Sequence, residues 1–212
     1  LFFCSKNLAL CPPNYPHREW QGHSLDIIDK FRKKATISIL DGQLDIFVEM
    51  ESHGGAQMIY HNICPDVMNR IPKEEENMIG TDSAIRYDNS ESIPHPRGWG
   101  TFPRFIKYFV REKKLLSLDE AVYRMAGLPA EVFHLNNRGK IQNNYYADLV
   151  LFDVKTISDM ATYQDPFLPP VGIKYVIING AVVMDNNGNR DVSKGNANIL
   201  DVYPGRFVQR GK

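Results

Sequence analysis

Asn77-Met78-Ile79-Gly80-Thr81-Asp82-Ser83 is the stretch on which the reading of this sequence turns. It is a short apolar run followed at once by a carboxylate. Upstream, Gln57 to His61 is apolar enough for a buried strand, and Pro65 to Ile71 fits a compact helix closed by Pro72. Strand, helix and strand at this spacing predict a β-α-β unit in a parallel sheet. Asp82 then stands at a strand's C-terminal end, where parallel sheets and barrels place their chemistry. There a carboxylate can take a proton from a metal-bound water and deliver it to a leaving nitrogen. An aspartate in a plain strand-to-loop turn, or capping the next segment, fits the same spacing.

Downstream comes His95-Pro96-Arg97, then Gly98-Trp99-Gly100-Thr101-Phe102-Pro103-Arg104. A rigid, proline-flanked arginine suits bidentate capture of a substrate carboxylate. An ion pair with the region of Glu91 is the competing account. Thr101 reads as a helix cap, with Pro103 early in the helix. Phe102, Phe105, Ile106, Phe109 and Val110 then form an apolar stripe of helical period. Ser117 and Glu120 make a capping box, Gly127 suits a C-cap, and Pro129 can open the next helix.

Toward the N-terminus, Phe2 to Leu10 reads as a strand, and the prolines from Cys11 to Pro16 forbid regular structure. Ser24 can cap a helix bearing Leu25, Ile27, Ile28 and Phe31, ending in the basic run Arg32 to Lys34. Ile37 to Met50 reads as a second helix despite Gly42, stopped by Gly54-Gly55. Toward the C-terminus, Ala147 to Asp153, Ile173 to Ile178, Ala181 to Met184 and Arg206 to Gln209 are Val- and Ile-rich strands. Asn179-Gly180 is a hairpin turn signal, and 186–198 is a polar loop. A small β domain therefore starts near Arg138.

Composition excludes several classes. Lys+Arg and Asp+Glu number 25 each in 212 residues, so no net charge draws the chain to nucleic acid or anionic lipid. No apolar run reaches the roughly 18 residues of a membrane-spanning helix. Three cysteines without a C-x-x-C point to free thiols in a reducing, cytoplasmic compartment. The six histidines form no H-x-H or H-E-x-x-H, and no nucleotide-binding glycine loop or G-x-S-x-G occurs.

Taken together, Asn77 to Ser83, His95-Pro96-Arg97 and Gly100-Thr101-Phe102-Pro103-Arg104 resemble the C-terminal part of N-acyl-D-amino-acid deacylases (D-aminoacylases) of the amidohydrolase superfamily. The resemblance continues through Leu116 to Val122, Gly127-Leu128-Pro129-Ala130, Tyr146 to Asp153 and Pro204-Gly205-Arg206. It implies an α/β fold: the C-terminal part of a (β/α)8 metal-dependent-hydrolase barrel over 1–137, and strands of a small β-sandwich over 138–212. By motif match Asp82 is the general acid/base at a zinc site and Arg97 binds the substrate α-carboxylate. Tyr15 is a further candidate for that carboxylate.

The implied activity is zinc-dependent hydrolysis of the acyl amide of small N-acyl-D-amino acids. Alternatives are a cyclic-amide hydrolase of dihydroorotase or hydantoinase type, or a non-catalytic fragment. The family's H-x-H, its cysteine and its middle-strand histidines have no counterparts here. Asp82 is thus at most a weak Zn2+ ligand, the main ligands being expected outside this chain. The chain starts at Leu1 rather than Met, and such a barrel needs ~250 residues. The expectation is a piece that is inactive in isolation and pairs, through an open strand edge, with the remaining barrel or with itself.

Overall fold

Proline and glycine decide where the elements start and stop. The computed structural model describes residues 8–11, 14–32, 38–55, 57–60, 63–74, 76–84, 94–185, 204–206 and 208. They fall into two compact units: 1–65, 83–98 and 162–167 in the first, the remainder in the second. These units reflect packing, whereas the boundary at Arg138 reflects a change in strand composition.

In the first unit, strand β1 (Leu8–Leu10) pairs antiparallel with β2 (Gln57–Ile59), Ala9 lying opposite Met58. Ala9 also donates to the His23 carbonyl at 3.0 Å and accepts from Gly22 N–H at 2.8 Å. The edge expected to lie open is therefore occupied over the described part of this strand. Helix α1 (Leu25–Arg32) follows Ser24 as expected. Helix α2 (Ile39–Ser52) starts at Ser38, whose hydroxyl accepts from Asp41 N–H, and ends where Gly54 and Gly55 take positive φ. Gly55 N–H closes the last turn onto the Met50 carbonyl at 2.9 Å. Gly42, which counted against this helix in the sequence, has a packing role: a Cβ there would lie 2.5 Å from Asp29 Oδ1 of α1. The core between these elements holds Ala9, Cys11, Trp20, Leu25, Ile28 and Ile46.

In the second unit, helix α3 (Pro65–Arg70) passes into a 3-10 turn over Ile71–Lys73. The expected second strand, Asn77–Thr81, has no regular structure and joins no ladder, and no parallel pairing occurs among the described strands. A segment becomes a strand only with a backbone partner, and the Ile79 N–H is instead taken by the Arg124 carbonyl at 3.3 Å.

Helix α4 (Arg97–Phe105) opens four residues before the expected cap, so Thr101 is interior and Pro103 sits mid-helix. Gly98 and Gly100 lie inside the helix, which starts directly after Pro96. Pro103 has no N–H for an i−4 bond, and from Ile106 to Glu112 the helix widens to π geometry. The aromatic stripe is core, with Phe105 and Phe109 packed against Leu116 and Ala121. The capping box forms as expected at Ser117, opening α5 (Leu118–Val122). Gly127 is not a C-cap. Its φ stays helical at −64°, and π geometry over Tyr123–Gly127 runs on into α6 (Leu128–Val132). A Cβ on Gly127 would meet the Tyr123 ring at 2.6 Å.

Strands β3 (Leu149–Phe152), β4 (Ile173–Ile178) and β5 (Ala181–Asp185) form one antiparallel sheet. Asn179 and Gly180 both take positive φ, as a type I′ hairpin requires. The turn is clamped: Asn179 N–H donates to Asp148 Oδ1 at 2.8 Å, Arg138 pairs with Asp148, and Asn179 Nδ2 donates to the Pro204 carbonyl. Of the expected strand Arg206–Gln209, Arg206 and Val208 are described and neither is in a strand; the polar loop 186–198 lies outside the described residues.

The approach to β4 is shaped by Gly172. Its φ is +86°, and a Cβ there would fall 2.5 Å from the backbone N and Cα of Ile157. Gly172→Ala combines a left-handed conformation with a backbone clash, so it should cost at least about 1 kcal/mol. Urea unfolding of the pair of proteins measures this, and an unchanged midpoint would contradict the close approach.

Candidate functional site

Asp82 ends the segment that starts at Asn77. It is solvent-exposed and has φ of +47°, a left-handed conformation uncommon for any residue but glycine, asparagine or aspartate. The segment is anchored behind it. Asn77 Nδ2 donates to the Ile71 carbonyl at 2.7 Å, and Ile79 lies against the Phe105–Phe109 core. A cavity of about 150 Å³ lies there, lined by Met68, Ile71, Pro72, Ile79, Phe105 and Phe109 among others. Arg124 also borders it, but its guanidinium donates to the Glu74 carbonyl at 2.8 Å.

Arg97 is the first residue of α4 and is exposed. Its backbone N–H donates to Nδ1 of His95 at 3.0 Å, and the His95 ring meets Tyr163 edge-on at 5.3 Å. Next to Arg97, Gly98 lets Ser83 come close: a Cβ on Gly98 would lie 2.8 Å from Ser83 Oγ. Ser83 is covalently next to Asp82, so the two motifs that stood apart in sequence have neighbouring residues in contact. The pairing of Arg97 with the Glu91 region falls outside the described residues.

The rest of the Gly100–Arg104 motif is structural. Arg104 and Lys107 reach Asp159 at 3.1 and 3.4 Å, and the Asp159 side chain is only 7% exposed. Arg111 donates to the carbonyls of Val154 and Ile157 at 3.1 and 2.7 Å. Gly100, Arg104, Lys107 and Arg111 recur at helical spacing and hold the 153–161 loop. Nothing in the sequence marks Asp159 as their partner, because it lies 55 residues beyond Arg104.

Tyr15 lies in the first unit's core, 3% exposed, and its hydroxyl has no hydrogen-bond partner among the described residues. Trp20, His17 and His53 surround its ring. His17 stacks on Trp20 at 4.4 Å and places its two ring nitrogens 3.2 and 3.1 Å from the carboxylates of Glu19 and Glu49. Glu49 also takes Arg32 at 2.8 Å. Sequence separation hid this cluster, since its members come from a loop and two helices. Among the described residues, no group of three or more His, Cys, Asp or Glu is placed to hold a metal ion.

Burial pushes the Tyr15 hydroxyl up from 10.0 to about 12, helped by negative charge at Cys11, Glu49 and Glu19. Burial likewise raises the Cys11 thiol from 9.0 to about 11, with Arg18 opposing. Both groups are neutral when protonated and sit higher in the folded state than in the unfolded one. Their contribution is therefore complete below pH about 9 and is lost as pH rises through about 11 to 12. We expect stability to hold to about pH 9 and fall above it. Tyr15→Phe should flatten the upper part of that fall and leave neutral-pH stability unchanged or higher, since a buried unpaired hydroxyl costs ~1–3 kcal/mol. Urea midpoints from pH 7 to 12 test this, and an equal alkaline loss in both proteins would contradict it.

Residues 78–184 match the amidohydrolase family. The chain is 38% identical over 168 residues to a D-aminoacylase of Alcaligenes xylosoxydans xylosoxydans, an alignment covering 79% of this chain and 32% of that protein. It superimposes on a crystal structure of D-aminoacylase with a TM-score of 0.77 and 33% identity, covering 96% of this chain and 38% of the other. A Bordetella bronchiseptica N-acyl-D-glutamate deacylase, solved with zinc and a phosphonate mimic of the tetrahedral intermediate, gives a TM-score of 0.68 at 32% identity over 84% of this chain and 38% of that one. The chain thus spans about a third of the length of the relatives it resembles.

Proposed function

The chain belongs to the amidohydrolase family, and on that premise we propose that it serves the zinc-dependent hydrolysis of the acyl amide of N-acyl-D-amino acids. In this reading residues 1–137 supply the last part of the barrel and 138–212 the strands of its β-sandwich, in the cytoplasm. The observation that carries the reading is the contact of Ser83 with Gly98, which sets the residue after Asp82 against the residue after Arg97.

Asp82 takes a proton from the attacking water and returns it to the amide nitrogen as the C–N bond breaks, leaving a carboxylate and a free D-amino acid. Arg97 pairs in fork geometry with the substrate α-carboxylate. Tyr15 would turn its unsatisfied hydroxyl to the same carboxylate. The kinship with enzymes of linear N-acyl substrates favours an open amide over a cyclic one. The described residues do not make a zinc site, so the metal would be held chiefly by residues beyond them, with Asp82 as at most one weak ligand. Large apolar side chains on α2 and near α3, among them Val48 and Ile63 at 65% exposure each, suit docking of further barrel elements or of a second copy.

Asp82→Asn should lower turnover of the metal-loaded enzyme at least ~10²-fold while its zinc content stays in place. The 212 residues by themselves should take up no stoichiometric zinc and show no hydrolysis. Metal analysis with an N-acetyl-D-amino acid assay reads both, and near-normal turnover in the variant would remove Asp82 from the mechanism.

Arg97→Ala should lose roughly 10²-fold in kcat/KM on free-acid substrates and far less on amide-capped ones, and Arg97→Lys should not restore the loss. An unchanged ratio between the two substrate types would overturn the carboxylate assignment.

A further inference from the structure

We infer that His95 is a positioning residue, which holds the start of α4 through a side-chain turn and thereby sets where Arg97 presents its guanidinium. The inference rests on the carboxylate-binding reading of Arg97 and extends it to a residue that does not itself touch substrate.

The first N–H groups of a helix have no partner within it. In this helix Pro96 has none to offer, so the donor of Arg97 is the first the chain possesses. Nδ1 of His95 accepts it at 3.0 Å across two residues. Side chains of Asn and Asp make the same i to i+2 bond in Asx turns, and there as here it bends the chain into a defined entry. Pro96 adds a fixed φ near −65° between acceptor and donor. The two constraints leave the backbone at Arg97 little freedom, so its side chain departs from a prescribed point.

The ring that accepts the bond is itself held. Tyr163 meets it edge-on at 5.3 Å. Tyr163 sits in a loop that closes on itself: Thr162 N–H donates to the Asp165 carbonyl at 2.9 Å, and Asp165 N–H donates to Thr162 Oγ1 at 2.9 Å. On the other side of Arg97, Gly98 backs onto Ser83. A surface histidine that merely filled space would need neither the acceptor geometry nor a buttressed ring. A bidentate arginine does need a fixed origin, since its planar fork recognises a carboxylate only when aligned.

Two substitutions separate the acceptor from the bulk of the ring. His95→Leu keeps much of the volume and removes the acceptor, whereas His95→Asn restores an acceptor for the i+2 donor. In the complete metal-loaded enzyme, with the remaining barrel present, His95→Leu should lower kcat/KM on free-acid N-acyl-D-amino acids about 10-fold or more, chiefly through KM. Amide-capped substrates should change little, and His95→Asn should recover most of the loss. Nitrogen NMR of histidine-labelled protein should show Nδ1 of His95 unprotonated, with the lone pair engaged by the Arg97 amide. Equal losses in Leu and Asn variants, equal losses on both substrates, or a protonated Nδ1 would overturn the inference. Should Arg97→Ala abolish discrimination while His95→Leu keeps it, the positioning role falls and the Arg97 reading stands. Unchanged discrimination in both variants removes the Arg97 reading and this inference with it.

Discussion

Helix α4 is bare where its neighbours come closest, and the arrangement of the candidate site depends on that. Gly98 admits the side chain of Ser83, and a Cβ on Gly100 would lie 3.2 Å from the Cβ of Asp159. Longer residues at either place would hold the partners off. With them there, the residue after Asp82 rests beside the residue after Arg97, and Asp159 is close enough to take both Arg104 and Lys107. The buried carboxylate between two cations is a costly arrangement unless both charges are met, and here they are. Helical spacing then carries the same face on to Arg111, which binds two carbonyls of the loop.

The first unit is organised by a different compromise. Its core takes in Tyr15 and Cys11, whose ionised forms burial disfavours, and puts His17, Glu49 and Arg32 at its margin. A wholly apolar core would avoid the Tyr15 hydroxyl, which has no hydrogen-bond partner among the described residues.

Local signals were legible wherever a residue acts on its immediate neighbours. Ser38 and Ser117 cap helices, Gly54 and Gly55 end one, and Asn179-Gly180 turns a hairpin. Each depends on bonds within a few residues. The same logic misplaced the start of α4, because Gly98 and Gly100 carry a poor helix propensity that tertiary packing overrides. It also mistook Gly127, whose lack of a side chain makes room for Tyr123 rather than ending a helix. The run Asn77–Thr81 had the composition of a strand, but composition cannot supply a ladder partner.

For the candidate site, residue type and order alone nominated Asp82 and Arg97, and the family resemblance added Tyr15 and gave all three their roles. A carboxylate after an apolar run and an arginine after a proline are patterns of adjacent residues, readable without a fold. The sequence likewise determined the helix caps, the hairpin and the polar balance of the chain. Only the tertiary structure decided that Ser83 meets Gly98, that Asp159 pairs with both Arg104 and Lys107, that His95 is braced by Tyr163, and that Tyr15 is buried among residues from a loop and a distant helix. Those contacts join residues up to 68 apart. They depend on which backbone surfaces can approach, and that is a property of packed elements rather than of any stretch of chain.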